Sequence, residues 1–417
     1  VIGTPNGGKQ GGCFPENIYT FRNAVDKQDA CPTGSETQAA DLKMSGIYLH
    51  IPFCRKACTY CDFHFSTSTR TKERVLNAML QELEQRAAEL DGVVDTIYFG
   101  GGTPSMLEPA EIARFMQEVR ARFAVATDAE VTLEANPDDI TAERLAAWKE
   151  LGITRLSLGT QSFREERLRF MGRAHTARQA LRSIELIAAA GFNSWTIDLI
   201  YGLPQMTLAE WDEQLTIALD HGMPHLSAYC LTVEAKTALA HQVAKGMVHM
   251  PGDTDQSAQF DRLMERMAVA GLEHYEISNF GLPGHHSRHN MSYWQGVPYL
   301  GIGPSAHSFD QRTRRWNLAH NVRYADALEQ GRTYWEEELL SPAQRTNERI
   351  MTGLRTAAGV LLESLEIDAI AVNREIYQRH VDKGHLFVRD GRLVLTGAGR
   401  HFADRIASDL FIPTDDR

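Results

Sequence analysis

The sequence predicts an α/β protein built on a mainly parallel sheet, followed by a small α+β domain. Short apolar runs and helical stripes alternate about six times from Ile47 onward, and strands separated by helices pair in parallel. From Ser341 the texture changes to helices plus a hairpin. The cysteines, a glycine triplet and several charged residues gather where the apolar runs end. Alternation by itself does not separate an open doubly wound sheet from a barrel.

Ile47-Tyr48-Leu49-His50-Ile51 reads as the first strand. Between Thr71 and Leu90, residues Val75, Met79, Leu80, Leu83, Ala87 and Leu90 form a helical stripe. Thr96 to Phe99 is a short buried strand, and Glu108 to Phe123 a helix with Ile112, Phe115, Met116, Val119 and Phe123 on one side. Val131 and Leu133 mark a strand, and Thr141 caps a helix to Leu151. Arg155 to Leu158 is a strand, and Thr176 to Ala190 a helix closed by Gly191. Strands at Trp195 to Ile200 and Leu226 to Leu231 alternate with helices at Thr207 to His221 and Asp253 to Ala270. Beyond them, Ala343 to Leu354 and Ile367 to Arg379 read as helices. Leu386 to Val388 and Leu393 to Leu395 form a hairpin turned at Asp390-Gly391, and Thr396 caps a last helix to Leu410.

With 417 residues, 43% of them hydrophobic, the chain can build one large domain and a smaller one. A formal net charge of −11 without a long basic run argues against a general nucleic-acid surface. Six cysteines are too few for a disulfide scaffold of this size and suit a reducing compartment. No apolar run is long enough to span a bilayer, so the expectation is a soluble, cytoplasmic protein. Residues 1–43 are glycine-rich and lack the pattern of a signal or transit peptide. They are expected to be a disordered leader, with Cys13 and Cys31 as free thiols and Met44 as a native start. The remaining expected boundaries are 44–310 for the main domain, 311–340 for a connecting segment and 341–417 for the C-terminal domain.

The chemistry concentrates in Cys54-Arg55-Lys56-Ala57-Cys58-Thr59-Tyr60-Cys61, a C-x3-C-x2-C loop directly after the first strand. Thiolates this close bind a metal, oxidise, or hold an iron–sulfur cluster. Zinc completed by Asp62 or His64 is one reading. The other is a [4Fe–4S] cluster with three protein ligands and one open iron, where a small molecule can bind and receive an electron.

Tyr48 to Cys54, the three-cysteine loop and Asp62-Phe63 resemble the start of a radical S-adenosylmethionine (SAM) protein. The closer resemblance is to the oxygen-independent coproporphyrinogen III oxidase-like group, and within it to the haem-chaperone branch called HemW, from about Met44 to near the C-terminus. The resemblance implies a partial (β/α)6 barrel of the radical SAM type with a small winged-helix-like C-terminal domain. It also implies that Cys54, Cys58 and Cys61 ligate [4Fe–4S], that SAM chelates the fourth iron, and that an electron from the cluster splits SAM to methionine and a 5′-deoxyadenosyl radical.

In a barrel, catalytic groups belong at the C-terminal ends of the strands. Gly100-Gly101-Gly102-Thr103-Pro104-Ser105 follows the second strand, where glycine lets backbone approach a ligand closely. Glu134 ends the third strand, and Asp198 interrupts an apolar run, which costs energy unless the carboxylate is paired. The resemblance implies that Tyr48, Gly101, Gly102, Thr103, Glu134, Gln161, Arg173 and Asp198 contact SAM.

The porphyrin-oxidising members of the group carry a fourth cysteine two residues after the third. Here that position is Phe63, which argues against oxidation of coproporphyrinogen III. That oxidase, or another radical SAM tetrapyrrole-modifying enzyme, is the alternative to a haem carrier. His289-Asn290-Met291-Ser292-Tyr293-Trp294 matches H-N-x-x-Y-W, the haem-binding signature of the HemW branch. His289 is the expected axial ligand, Tyr293 and Trp294 the aromatic area, and Asn290 a partner for a carbonyl or propionate. His285, His286 and His307 are competing ligands. The expected partners are haem and haem-acceptor proteins, at a membrane or away from one, and no nucleic acid.

Overall fold

The computed structural model describes residues 44–90 and 92–414. The expected leader at 1–43, with Cys13 and Cys31, lies outside the described residues.

Six strands and the helices between them build the parallel core: β1 (Met44–Ile51), α1 (Lys72–Gln85), β2 (Val93–Gly101), α2 (Pro109–Arg122), β3 (Ala124–Ala135), α3 (Ala142–Glu150), β4 (Arg155–Gln161), α4 (Glu165–Met171), α5 (Ala177–Ala189), β5 (Ser194–Tyr201), α6 (Leu208–Asp220) and β6 (His225–Cys230). After α7 (Ala238–Ala244) and α8 (Asp253–Val269) come β7 (Glu273–Glu276), β8 (Asn279–Gly281), α9 (Arg288–Trp294), β9 (Tyr299–Ile302), β10 (His307–Phe309), β11 (Thr313–Asn317), α10 (Asn321–Glu329) and β12 (Trp335–Leu339). The strands form one sheet in the order β12-β11-β10-β9-β1-β2-β3-β4-β5-β6-β8-β7, with β1 to β6 parallel and in chain order. This is the partial (β/α)6 barrel, with β9 added parallel to β1 and β8 antiparallel to β6. The stretch 311–340, expected as a connection, carries β11, α10 and β12 and lengthens one edge of the sheet.

The pleat sends alternate residues to opposite faces of each strand. Ile47, Leu49, Ile97, Phe99, Leu133, Leu156, Leu158, Ile197 and Leu199 are all fully buried and belong to one core cluster with the covering helices. The other face carries Tyr48, Tyr98 and Thr132 in register on β1 to β3, and Glu134, Ser157 and Thr196 in register on β3 to β5. Asp198 and Ser227 are paired on β5 and β6. The concave face is therefore polar and aromatic, a lining rather than a packed core.

Three expected helices are interrupted. The first stops at Gln85 because Arg86 turns inward, donating to Glu82 (2.9 Å), to the Gly301 carbonyl (2.9 Å) and to Ser308 (3.0 Å). In the C-terminal domain, α11 (Pro342–Leu354) is followed by β13 (Val360–Leu361), and the stretch from Ile367 then splits into α12 (Ala369–Val372) and α13 (Arg374–Asp382). Asn373 between them donates through Nδ2 to the Leu410 carbonyl at 2.9 Å. β14 (Leu386–Arg389) and β15 (Arg392–Leu395) are the expected hairpin, and β13 joins it as a small antiparallel sheet. Thr396 caps α14 (Gly397–Arg400) by accepting from the Gly399 N–H, and α15 (Ala403–Asp409) follows after a break at Phe402. Ile350, Leu354, Leu386, Leu393 and Ile406 give this domain its own core.

Candidate functional site

Cys54, Cys58 and Cys61 are free and half-buried on the loop from β1 to α1. The loop is tied down on several sides. The Cys54 N–H donates to the Ser66 carbonyl (3.0 Å), the Thr59 N–H to the Met171 carbonyl (3.0 Å) and the Leu239 N–H to the Thr59 carbonyl (2.8 Å). Arg55 pairs with Asp138 at 2.7 Å and with Asp139. Two donors already face the sulfurs: Thr103 Oγ1 is 3.5 Å from Cys54 Sγ, and Arg173 Nη1 is 3.4 Å from Cys58 Sγ. Burial pushes the Cys54 thiol up and the Cys61 thiol up to about 12, so metal binding there has to displace protons.

The glycine loop is stitched to the same segment. The Gly102 N–H donates to the Ile51 carbonyl (2.9 Å) and the Thr103 N–H to the Phe53 carbonyl (2.8 Å). Gly101 has φ +106°, and a Cβ on Gly102 would stand 2.7 Å from the Phe53 carbonyl oxygen, so both positions require glycine. Glu134, at the end of β3, accepts from the Gly101 N–H (3.2 Å) and from the Tyr98 hydroxyl (2.8 Å). Burial raises its pKa.

Gly159 leaves room on the neighbouring strand: a Cβ there would meet Arg173 at 3.1 Å, Gln161 at 3.2 Å and Asn136 at 3.3 Å. Arg173 donates to the Gly159 carbonyl (2.8 Å) and to Asn136 Oδ1 (2.5 Å), and its buried Nε has no partner among the described residues. Gln161 holds φ +64°, a strained conformation for a non-glycine residue. Asp198 accepts from Ser157 Oγ at 3.1 Å. Burial first, then the nearby Glu134 carboxylate, raises Asp198 to about 7. Tyr48 donates to His50 Nδ1 (3.2 Å), and His50 Nε2–H donates to the His64 carbonyl (2.9 Å), which fixes the tautomer.

Charge and donor type match what a three-thiolate cluster and SAM require. Three thiols lie beside two hydrogen-bond donors, two buried carboxylates, Glu134 and Asp198, stand on neighbouring parts of the same sheet face, and the Arg173 Nε has no partner among the described residues.

The H-N-x-x-Y-W stretch lies in α9, which packs against β2 and β3 through Asp95, Thr96 and Glu130, away from the cysteine loop along the strands. Glu130 on β3 accepts from the Arg288 N–H (3.1 Å) and the His289 N–H (3.0 Å), and Arg288 pairs with Asp95 on β2. His289 is fully buried; its Nδ1 is 2.7 Å from Thr96 Oγ1 and its Nε2 is 2.8 Å from the Tyr293 hydroxyl. Its ring stacks on Tyr98 at 4.8 Å. Tyr293 meets Tyr299 edge-on at 4.6 Å. Trp294 points elsewhere, under the Arg355 guanidinium at 5.2 Å, against the C-terminal domain. Asn290 gives its N–H to Ser287 Oγ. Of the competing histidines, His286 pairs with Glu273 at 2.9 Å and stacks on Tyr275, and His307 stacks on Trp316.

The structure adds Thr96, Tyr98 and Asn136 to the residues the sequence singled out. Period two along β2 puts Thr96, Tyr98 and Gly100 on one face, a signal present in the sequence but submerged in an apolar run.

The Radical SAM superfamily model matches residues 48–216. The Heme chaperone HemW of Mycobacterium tuberculosis is 38% identical over 373 residues, covering 88% of this chain and 94% of that protein. The Heme chaperone HemW of Bacillus subtilis is 35% identical over 322 residues, covering 76% and 85%. Among solved structures, the radical SAM coproporphyrinogen III oxidase HemN from Escherichia coli superposes with a TM-score of 0.77 at 23% identity, over 89% of this chain and 90% of that one. That likeness shows the fold.

Proposed function

The chain belongs to the HemW haem-chaperone family of the radical SAM superfamily, and from that premise we propose that it carries haem on His289 and hands it to acceptor proteins in the cytoplasm or at a membrane, with a SAM-ligated [4Fe–4S] cluster at the other end of the same strands.

The observation that supports this most is that the two sets of groups stand at opposite ends of the same parallel strands, His289 against Thr96 and Glu134 against Gly101 on β2. One end holds three thiols, the glycine loop and the Glu134 and Asp198 carboxylates; the other meets the helix that bears the haem signature. Cys54, Cys58 and Cys61 suit three irons of the cluster. Gly101, Gly102, Thr103 and Glu134 suit the SAM amino group, Arg173 and Gln161 its carboxylate, and Asp198 its ribose hydroxyls. Tyr48 lines the same face. When bound, the cluster supplies an electron to the sulfonium of SAM. Haem is the cargo. His289 stays neutral, because burial lowers its pKa to about 3, and a neutral imidazole is the ligand iron takes. Ligation requires Nε2 to exchange the Tyr293 hydroxyl for iron, so α9 must turn at least in part from the sheet.

The test mixes the haem-loaded protein with an apo-haemoprotein under anaerobic conditions. The expected outcome is a Soret shift to the acceptor's spectrum, with the tetrapyrrole unchanged by mass spectrometry. Conversion of coproporphyrinogen III in the presence of reductant and SAM, at roughly one turnover per second or faster, would overturn the reading in favour of an oxidase.

A further inference from the structure

We infer that Tyr98 is a positioning residue that couples the two ends of these strands, so that haem binding at His289 weakens SAM binding at Glu134. The inference rests on the reading of those two residues given above. Tyr98 touches both. Its ring stacks on the His289 imidazole at 4.8 Å with 25° between planes, and its hydroxyl donates to Glu134 Oε1 at 2.8 Å. Glu134 Oε2 in turn accepts from the Gly101 N–H at 3.2 Å, so one side chain links the haem signature to the glycine loop.

The link is tightly fitted. Tyr98 also stacks on Tyr48 at 5.9 Å. A Cβ on Gly100 would stand 2.8 Å from the Tyr98 ring and 2.9 Å from the Tyr48 ring, so the glycine loop packs directly on both. At the other end, Thr96 and Tyr293 hold the His289 ring by both nitrogens, which fixes the face on which Tyr98 rests. Haem ligation breaks the Nε2 bond and turns the imidazole. Tyr98 then loses the surface that orients it, and Glu134 loses the donor that aims its carboxylate. Coupling of binding sites is reciprocal, so SAM must weaken haem by the same factor.

The experiment uses the cluster-reconstituted full chain under anaerobic conditions. SAM affinity is titrated calorimetrically with and without saturating haemin, for the wild type, Tyr98→Phe and Tyr98→Leu. The wild type is expected to bind SAM roughly fivefold more weakly with haemin present, at the low end of usual coupling. Tyr98→Phe keeps the ring but loses the bond to Glu134, and should bring the ratio close to one while each ligand still binds alone. Tyr98→Leu should do the same. A ratio of one in the wild type, or a wild-type ratio in Tyr98→Phe, overturns the inference and leaves the carrier reading standing. Failure of haemin or SAM to bind the wild type singly would instead defeat the carrier reading, and this inference with it.

Discussion

The Nε2 of His289 lies 2.8 Å from the hydroxyl of Tyr293, one helical turn further along α9. Nδ1 lies 2.7 Å from the Thr96 hydroxyl, so both ring nitrogens are held, and in the tautomer protonated at Nδ1 Tyr293 donates to Nε2. The nitrogen that iron needs is thus covered by a phenol. Tyr293→Phe removes the cover and keeps the aromatic ring. It should tighten haemin binding about fivefold, the worth of roughly one hydrogen bond of 1 kcal/mol. Weaker binding in this variant would show that the hydroxyl belongs to the haem site itself.

The three-thiol loop should take up iron rather than zinc. Anaerobic reconstitution is expected to give about four irons per chain, as a [4Fe–4S] cluster requires, and Cys58→Ala should lose the cluster. Stoichiometric zinc with no iron uptake would contradict the assignment. The donors on Cys54 and Cys58, Thr103 and Arg173, are the supporting contacts.

Asp198 makes stability depend on pH. Its folded value of about 7 lies above an unfolded value of about 3.9, so the native state holds the proton more tightly. That contribution is complete below about pH 4 and is lost as the pH rises through about 7. Asp198→Asn cannot ionise and escapes the loss. Thermal melts should therefore show the variant gaining about 2 °C or more over the wild type at pH 8, with a smaller difference at pH 5. An equal difference at both values would mean that Asp198 does not titrate in this range.

Arg355 fastens the C-terminal domain to the barrel. It reaches Glu276 on β7 at 3.0 Å and Asp404 on α15 at 2.9 Å, and it covers Trp294 of α9. Glu276 is 1% exposed, and although its Oε2 still accepts from the Ser278 N–H and from Asn279, Arg355→Met removes its charged partner and should cost about 3 kcal/mol in urea unfolding. Adding Glu276→Gln should restore much of the loss. A cost below about 1 kcal/mol would show that the pair is solvated like a surface bridge.

The parallel core was legible because the outward faces of its strands are apolar, and Ile97, Phe99, Ile197 and Leu199 read as strands at once. The concave face was harder to read. Asp198 stood out as a carboxylate in an apolar run, yet it belongs to a polar lining with Ser157 and Ser227 that only the register reveals. Tyr98 passed as one more apolar strand residue. In α9, Tyr293 and Trp294 looked like one aromatic surface. Successive helical residues point about 100° apart, so Tyr293 faces His289 while Trp294 faces Arg355. Nor did the pattern at 311–340 show that β11 and β12 would pair through backbone bonds as added edge strands, since Trp316 and Glu336 are neighbours only in register.

Haem titration of the reconstituted wild type beside His289→Ala tests the central claim most directly. Saturable binding with a Soret band is predicted for the wild type, together with loss of that band and a fall in affinity of at least about tenfold, 1.4 kcal/mol, in the variant. His286→Ala, whose histidine pairs with Glu273 at 2.9 Å, should bind as the wild type does. A wild-type Soret band and affinity in His289→Ala would exclude His289 as the ligand, and no saturable binding by the wild type would contradict the account of a haem carrier.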